Sequence, residues 1–235
     1  MRIAIVGVGG IGLYLGGMLA HANEEVTFVA RGASLAAIRA RGITIRIDTV
    51  GTVTSPAAAT DDPATIGPVD LIVVCVKTYD LDAAAEQIRP LVGSETAILT
   101  IQNGVDAAER VGTALGIPDV LAAALYFSAT RKEPGVIEKI GGPGGRIVLG
   151  NPAGGPALHG EQVAATLRAQ VSTCSYPPTF GSRCGRSSSP LPVMAPCARS
   201  PGCRAARSSR ARRRVRSCAA SSPRARRWHA RAAFN

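Results

Sequence analysis

The sequence predicts an α/β fold, a Rossmann-like doubly wound parallel sheet, over residues 1–169. Two observations support this prediction. Short apolar runs rich in β-branched side chains, which are typical of buried parallel strands, alternate with segments of helical spacing. A cluster of glycines also joins the first apolar run to the first helical segment. Because strands that alternate with helices form parallel sheets with helical crossovers, this order of segments predicts the sheet.

The first half of the pattern extends from the N-terminus to residue 101. Its predicted elements are a strand over 2–6, a helix from Ile11 to about Ala22, a strand over 25–30, a strand over 70–76, an Ala-rich helix over 81–91 and a strand over 97–101. The first helix is indicated by apolar residues at helical spacing, namely Ile11, Tyr14, Leu15, Met18 and Leu19.

The pattern continues after Asn103 with a helix over 106–115 and a strand over 120–125. Two further apolar runs, 135–140 and 146–149, are joined by the glycine-rich loop 141–145. A short loop of this composition between two strands is typical of a hairpin, so we expect these strands to pair antiparallel with each other. A further helix is expected to begin near Glu161.

The net charge of +11 is concentrated in the last quarter of the chain. Residues 1–170 carry 13 basic and 16 acidic side chains, whereas residues 171–235 carry 14 arginines and no Lys, Asp or Glu. The second part also lacks Ile and contains a single Leu, so it offers no apolar periodicity from which a core could form. We therefore expect a Rossmann-type domain over 1–169 and a largely disordered basic tail over 170–235.

The cysteines and the apolar runs exclude several classes of protein. Only Cys75 lies in the first part, and the five cysteines of the tail form no C-x-x-C pair and have no His-rich cluster beside them, so a zinc site is not indicated. The N-terminus begins with a predicted strand and shows no signal-peptide pattern, so a secreted disulfide framework is not expected either. No apolar run reaches the roughly 18 residues needed to cross a bilayer. The expectation is a soluble cytoplasmic protein with no metal and no membrane partner.

The strongest motif lies between the first strand and the first helix. It is a G-x-G-x-x-G fingerprint composed of Gly7, Val8, Gly9, Gly10, Ile11 and Gly12. In this setting the first glycine permits a tight turn, the second lets a pyrophosphate approach the backbone, and the third lets the helix pack on the strand. The alternative is a glycine-rich turn without a ligand. The flanking strand and helix favour a dinucleotide site.

The residue expected to meet the adenosine ribose is Arg31, which follows the second strand 19 residues after Gly12. An NAD site typically carries Asp or Glu there, whereas an arginine accommodates the 2′-phosphate of NADP. The cofactor prediction is therefore NADP(H), and the domain over 1–169 is predicted to bind it. Arg31 could instead be a solvated surface residue, and Arg39 and Arg41 could share the phosphate but are more typical of surface charge.

Polar residues follow two more of the predicted strands. Lys77 comes directly after the strand over 70–76, and Asn103 follows the strand over 97–101. Ligands of open α/β sheets bind outside the carboxyl ends of the strands, so both side chains are candidates to face the nicotinamide or the substrate. Each alone could be an ordinary turn residue.

In this order, the glycine loop, Arg31, the Val76-Lys77-Thr78 segment and the Gln102-Asn103-Gly104 segment resemble the ketopantoate reductase (2-dehydropantoate 2-reductase) family. The resemblance covers about residues 1–169. It implies that Lys77 and Asn103 line the site for cofactor and 2-keto acid, and that Ala129 contributes a backbone contact to NADP. It also implies reduction of 2-dehydropantoate by NADPH to pantoate, on the route to pantothenate.

The resemblance ends where the family's helical domain is expected. In the frame as written, the tail supplies neither the family's general-acid lysine nor its substrate-binding glutamate, and Arg186, the residue nearest the expected lysine position, cannot act as a proton donor. A frame displaced by two letters from Gln170 can be read as a family-like helix ending in Trp-Glu-Lys. We therefore expect a frameshift near Gln170, little or no turnover, and an oligomeric state that the missing domain leaves open.

Three alternatives to a reductase of 2-dehydropantoate remain. The chain could be a non-catalytic NADP-binding fragment, or a reductase of a related 2-keto acid. A third alternative is a genuine basic tail, with residues 204–216 binding DNA or RNA phosphates through counterion release. The tail contains few aromatic residues for base stacking, so specific nucleic-acid binding is not predicted.

Overall fold

The structure, a computed structural model, describes residues 1–102, 106–157, 159–168 and 173–176. The predicted site residue Asn103 and nearly all of the predicted tail 170–235 lie outside the described residues. The elements are β1 (Arg2–Val6), α1 (Gly10–His21), β2 (Glu25–Val29), α2 (Gly32–Arg41), β3 (Ile43–Ile47), β4 (Gly51–Ser55), β5 (Ala58–Thr60), β6 (Leu71–Val74), α3 (Leu81–Gln87), β7 (Ala97–Thr100), α4 (Ala107–Leu115), β8 (Val120–Tyr126), β9 (Thr130–Glu133), β10 (Val136–Lys139), β11 (Arg146–Gly150), α5 (Gly160–Arg168) and β12 (Thr173–Ser175).

The main sheet has the strand order β12-β11-β8-β7-β6-β1-β2-β5. The strands from β8 to β5 are mutually parallel, and β11 runs antiparallel to β8, with β12 beyond it at the edge of the sheet. The chain passes from β1 to one side through β2 and β5, and then returns to pair β6 on the other side of β1. The predicted doubly wound parallel sheet is confirmed, and its topological switch point lies between β1 and β6.

A second sheet has the order β4-β3-β10-β9. The predicted hairpin is therefore wrong, because β10 belongs to this sheet while β11 belongs to the main one. β10 pairs parallel with β3, where Ile137 faces Ile45, and β11 pairs antiparallel with β8, where Ile147 faces Leu125. The loop 141–145 thus crosses from one sheet to the other. Each of the two strands pairs with strands other than the one across this loop, and the glycine-rich loop carries the chain between the two sheets.

Helix α1 is packed between the two sheets. It contacts β1 and β2 of the main sheet and β3, β4, β9 and β10 of the second sheet. Two adjacent glycines make this possible: a methyl group at Gly16 would lie 2.5 Å from the Phe28 ring, and one at Gly17 would lie 2.8 Å from Ile43 Cγ2. All residues from Gly12 to Leu19 are buried. A helix that is apolar all round is expected to be buried on every side, and α1 is.

Helices α3 and α4 cover the opposite face of the main sheet. They pack against each other and contribute Leu81, Ala85, Ala108 and Val111 to a core shared with the apolar strands. β12 pairs parallel with β11, so the main sheet includes residues 173–175, just past the predicted boundary at residue 169. Among the described helices, none is long and apolar enough to cross a membrane.

Candidate functional site

The glycine loop lies at the switch point, where the carboxyl ends of β1 and β6 meet. Val6 and Val74 are in register, so the loop begins beside the residues that follow β6. Gly7 has a φ of +105°, and a methyl group there would lie 2.7 Å from the Val76 amide nitrogen. A methyl group at Gly12 would overlap the Gly7 carbonyl oxygen. Glycine is therefore required at both positions for the turn and for the close helix packing.

Gly9 has a different environment from the other loop glycines. It is the N-cap of α1, has an ordinary extended φ of −76°, and has no atom within 4 Å of the position that a methyl group would take. The amides of the first helical turn have no intrahelical acceptor, and that turn contains no acidic residue. Open space in front of unpaired amides at a positive helix end is the arrangement that binds a phosphate.

The segment around Ala129 lies against this helix terminus. A methyl group at Gly10 would overlap the Ala129 carbonyl oxygen. Val8 and Ile11, the remaining residues of the fingerprint, are half-buried in the loop and the first turn. The structure therefore brings Ala129 and the whole glycine fingerprint together, although they are separated by more than 100 residues in the sequence.

Arg31 lies at the carboxyl end of β2, one residue beyond Ala30, and is the N-cap of α2. Its side chain is exposed, and no described residue forms an ion pair or hydrogen bond with it. Arg39 instead donates a hydrogen bond from Nε to the Ala59 carbonyl oxygen at 2.8 Å, which ties α2 to β5. Arg31 is thus the arginine of this helix that is placed and free to meet a ligand at the end of β2.

Lys77 follows β6 on the same edge of the sheet. Its side chain is exposed and forms no ion pair with any described residue. Gln102 follows β7 and donates from Nε2 to the carbonyl oxygens of Val74 at 2.9 Å and Val76 at 3.2 Å. Gln102 therefore holds the backbone that leads to Lys77. This role of Gln102 was not predicted from the sequence, although a polar residue directly after a parallel strand was a signal for one.

Cys75 places a thiol beside the glycine loop, but the surroundings of this thiol disfavour its ionised, nucleophilic form. Its amide donates to the Val6 carbonyl oxygen, and a methyl group at Gly12 would lie 3.0 Å from its Cβ. Burial raises the pKa of the Cys75 thiol far above its usual range. The thiolate is the nucleophilic form, so a raised pKa disfavours nucleophilic chemistry at Cys75. Within the described ranges no cluster of His, Cys, Asp or Glu could hold a metal ion.

The arrangement combines a helix N-terminus with open space at Gly9, a cation at the end of β2 and a cation at the end of β6. Along the sheet edge the order is Arg31, the glycine loop and then Lys77, since β2, β1 and β6 are neighbours. A dinucleotide bound across a switch point spans these three places, with its ribose toward β2 and its other half toward β6.

The known proteins that resemble this chain match the same N-terminal region. A family model described as ketopantoate reductase PanE/ApbA matches residues 3–154. The 2-dehydropantoate 2-reductase of Halobacterium salinarum is 34% identical over 170 residues, covering 71% of this chain and 54% of that protein. The enzyme of the same name from Mesorhizobium japonicum is 32% identical over 197 residues, with coverages of 73% and 60%.

The solved structures give the same result. The 2-dehydropantoate 2-reductase of Geobacter metallireducens superposes with a TM-score of 0.68 at 35% identity, covering 75% of this chain and 58% of that chain. The match of this chain therefore spans little more than half the length of these relatives. The resemblance found in the sequence is confirmed for the N-terminal region. This chain belongs to the ketopantoate reductase PanE/ApbA family of oxidoreductases.

Proposed function

We propose that the described part of this chain is the NADPH-binding domain of a reductase that acts on a 2-keto acid, with 2-dehydropantoate as the first substrate to test. The observation that supports this most directly is the glycine loop at the switch point, flanked by Arg31. The substrate follows from the names of the relatives, and the cofactor follows from the residues themselves.

The loop fits the pyrophosphate of a dinucleotide. Gly9 leaves the approach to the backbone open at the N-terminus of α1, where the amides of the first turn have no intrahelical acceptor. An anion there also gains from the helix dipole. Gly10 and Gly12 could not carry side chains without overlapping backbone atoms, so this loop shape requires glycine at both positions.

The preference for NADPH over NADH rests on the end of β2. An NAD-specific site needs a carboxylate for the ribose 2′-hydroxyl, but no Asp or Glu occurs between Glu25 and Asp48. Arg31 occupies the place instead, and its exposed guanidinium can form two parallel hydrogen bonds to a phosphate. An arginine at this position would stabilise the 2′-phosphate of NADPH. NADH lacks that phosphate and would gain nothing comparable from the charge.

The remaining residues suit the nicotinamide end and the substrate. NADPH, when bound, supplies the hydride for reduction of the ketone. Lys77 offers three N–H donors and a positive charge at the carboxyl end of β6, which suits a carboxylate or a carbonyl oxygen. Asn103, one residue after Gln102, is proposed to share this task. Ala129 is proposed to contact the cofactor through its backbone, beside Gly10.

The chain as written does not provide the proton that the reaction needs. Reduction of a ketone creates an alkoxide, and a positioned general acid must protonate it. The family uses a lysine of its helical domain, but Lys139 is the last lysine of this sequence and no acidic residue follows Glu161. A frameshift near Gln170 would account for this. We expect cofactor binding with little or no turnover.

One pair of measurements tests the proposal. Fluorescence titration of the full chain with NADPH should show saturable binding that is tighter than with NADH. A 340 nm assay with 2-dehydropantoate should show little or no oxidation of NADPH. Absence of NADPH binding would refute the cofactor assignment, whereas turnover at an ordinary enzyme rate would refute the loss of activity.

The basic tail supports a second, weaker candidate function, the binding of polyanions. Fourteen arginines without a single acidic residue attract nucleic-acid phosphates through counterion release, whatever the origin of the tail. Salt-sensitive retention on heparin is therefore expected under both explanations and does not separate them. Selective binding to one nucleic-acid sequence would favour a genuine basic tail. The DNA sequence around codon 170 tests the frameshift directly.

A further inference from the structure

Arg131, on strand β9, links the glycine loop to the start of α2. Its Nη1 atom lies 3.3 Å from the Val8 carbonyl oxygen and 3.4 Å from Ser34 Oγ. Val8 belongs to the glycine fingerprint, and Ser34 lies in the first turn of α2, three residues after Arg31. One exposed side chain therefore bridges the two elements between which the adenosine ribose of a dinucleotide would lie.

The backbone of β9 fixes this position. The Ala129 carbonyl oxygen packs against Gly10, and a methyl group at Gly10 would also lie 3.3 Å from the Arg131 amide nitrogen. The second sheet, to which β9 belongs, packs on α1. Arg131 is thus attached to the same helix whose N-terminus faces the pyrophosphate, and its side chain reaches away from it toward α2.

The charge of Arg131 is not used within the described part of the protein. No carboxylate there pairs with it, whereas its neighbour Lys132 pairs with Glu138 at 2.6 Å. Both hydrogen bonds of Arg131 use Nη1 and neutral acceptors. A guanidinium has five N–H donors in a planar fork that matches a phosphate, so Nε and Nη2 remain available for an anion.

We infer that Arg131 is a second cation for the ribose 2′-phosphate of NADPH, acting together with Arg31 from the opposite side of the ribose. The inference rests on the proposed function. The 2′-phosphate is favoured over the pyrophosphate for two reasons. The amides of α1 already serve the pyrophosphate, and Arg131 reaches Ser34 on the helix that begins at Arg31. Arg131 also positions the glycine loop against α2.

The test compares NADPH and NADH binding by the full-length chain and its variants. Arg131→Ala removes the cation, and Lys132→Ala is the matched control on the same strand. Because Arg131→Ala would remove charge-assisted hydrogen bonds to the 2′-phosphate, we expect it to weaken NADPH binding by about tenfold or more. NADH binding should change by less than about threefold. Arg131→Lys keeps the charge and is expected to fall between the two, and Lys132→Ala is expected to bind as the wild type does.

The outcomes separate the inference from the proposed function. A wild-type chain that binds neither dinucleotide would overturn both. A wild-type chain that prefers NADPH, together with an Arg131→Ala variant that keeps the same preference, would overturn only the role of Arg131 at the 2′-phosphate. An equal loss of affinity for NADPH and NADH in Arg131→Ala would also overturn it, because Arg131 would then only hold the glycine loop in place. Thermal melts of each variant show whether a loss of binding reflects a loss of folding.

Discussion

A methyl group added at Gly9 is expected to weaken cofactor binding while leaving the fold intact. Gly9 has a φ of −76° and a ψ of −175°, which alanine adopts readily, and nothing lies within 4 Å of the new methyl group. Alanine is a poorer N-cap than glycine by about 0.5 to 1 kcal/mol. Alanine also makes the unfolded chain less flexible than glycine does, which stabilises the folded state by about 0.4 to 1 kcal/mol and offsets this cost. The free energy of unfolding should therefore change by less than about 0.5 kcal/mol.

The effect of Gly9→Ala on NADPH affinity should be much larger. The open space at Gly9 is where a phosphate would approach the amides of α1, and a methyl group fills it. Loss or lengthening of one charge-assisted hydrogen bond costs about 1.5 to 3 kcal/mol. This corresponds to a fall in NADPH affinity of about tenfold to a hundredfold. Fluorescence titration measures the affinity, and urea unfolding measures the stability.

Gly12→Ala is the matched comparison, because its methyl group would overlap the Gly7 carbonyl oxygen inside the loop. Overpacking of this kind is expected to destabilise the fold by about 1 to 3 kcal/mol. Wild-type NADPH affinity in Gly9→Ala would refute the loop as a phosphate site. Equal destabilisation by the two substitutions would refute the loop geometry.

Three further predictions concern Arg31, Tyr14 and Lys139. Arg31→Ala should lower the affinity for NADPH in titrations and leave NADH binding nearly unchanged, because only NADPH carries the 2′-phosphate. Tyr14→Phe should lower the free energy of unfolding in urea by about 1 to 3 kcal/mol, because the buried hydroxyl accepts from the Gly144 amide at 2.9 Å and donates to its carbonyl at 3.3 Å. Burial lowers the pKa of Lys139, so the free energy of unfolding of the wild type should rise with pH between that lowered pKa and 10.5. The Lys139→Met variant should lack this rise, and urea unfolding at several pH values measures it in both proteins.

The dependence of stability on pH at Lys139 comes from the difference in proton binding between the unfolded and folded chains. In that pH window the unfolded chain, with an ordinary lysine pKa, holds more protons than the folded chain, so raising the pH favours folding. The contrary result is a pH slope that is identical in the wild type and Lys139→Met.

Arg41→Ala is the control for Arg31→Ala, since Arg41 is also exposed and lies at the other end of α2. A Tyr14→Phe cost below about 0.5 kcal/mol would mean that the Gly144 contacts contribute little.

The main sheet could be predicted from the sequence because its strands are buried on both faces. The runs at Leu71–Val74 and Ala97–Thr100 are apolar at every position, and no other environment suits them as well. The glycine loop was equally predictable, since its spacing is set by contacts within a single strand-turn-helix unit. Arg31 and Lys77 followed from their places at strand ends. Local patterns of this kind do not depend on distant partners.

The second sheet was missed because its pairing depends on distant residues. Ile43, Ile45 and Ile47 alternate with polar residues, which is a signal for a half-buried strand, but their partner Val136–Lys139 lies about 90 residues away. The same distance explains the wrong hairpin. Arg131 was missed for a related reason, since nothing near it in the sequence indicates that β9 would lie against Gly10.

Burial of α1 between two sheets has a consequence for the motions of the protein. Backbone amides exchange with solvent only when an element opens, and an element covered on both sides opens only when both of its neighbours separate from it. The amides in the middle of α1 should therefore be among the slowest to exchange deuterium. The first turn of this helix is the one that faces the open space at Gly9. A dinucleotide that binds there would meet a surface that is already rigid, and would lose little of its binding free energy to ordering the protein.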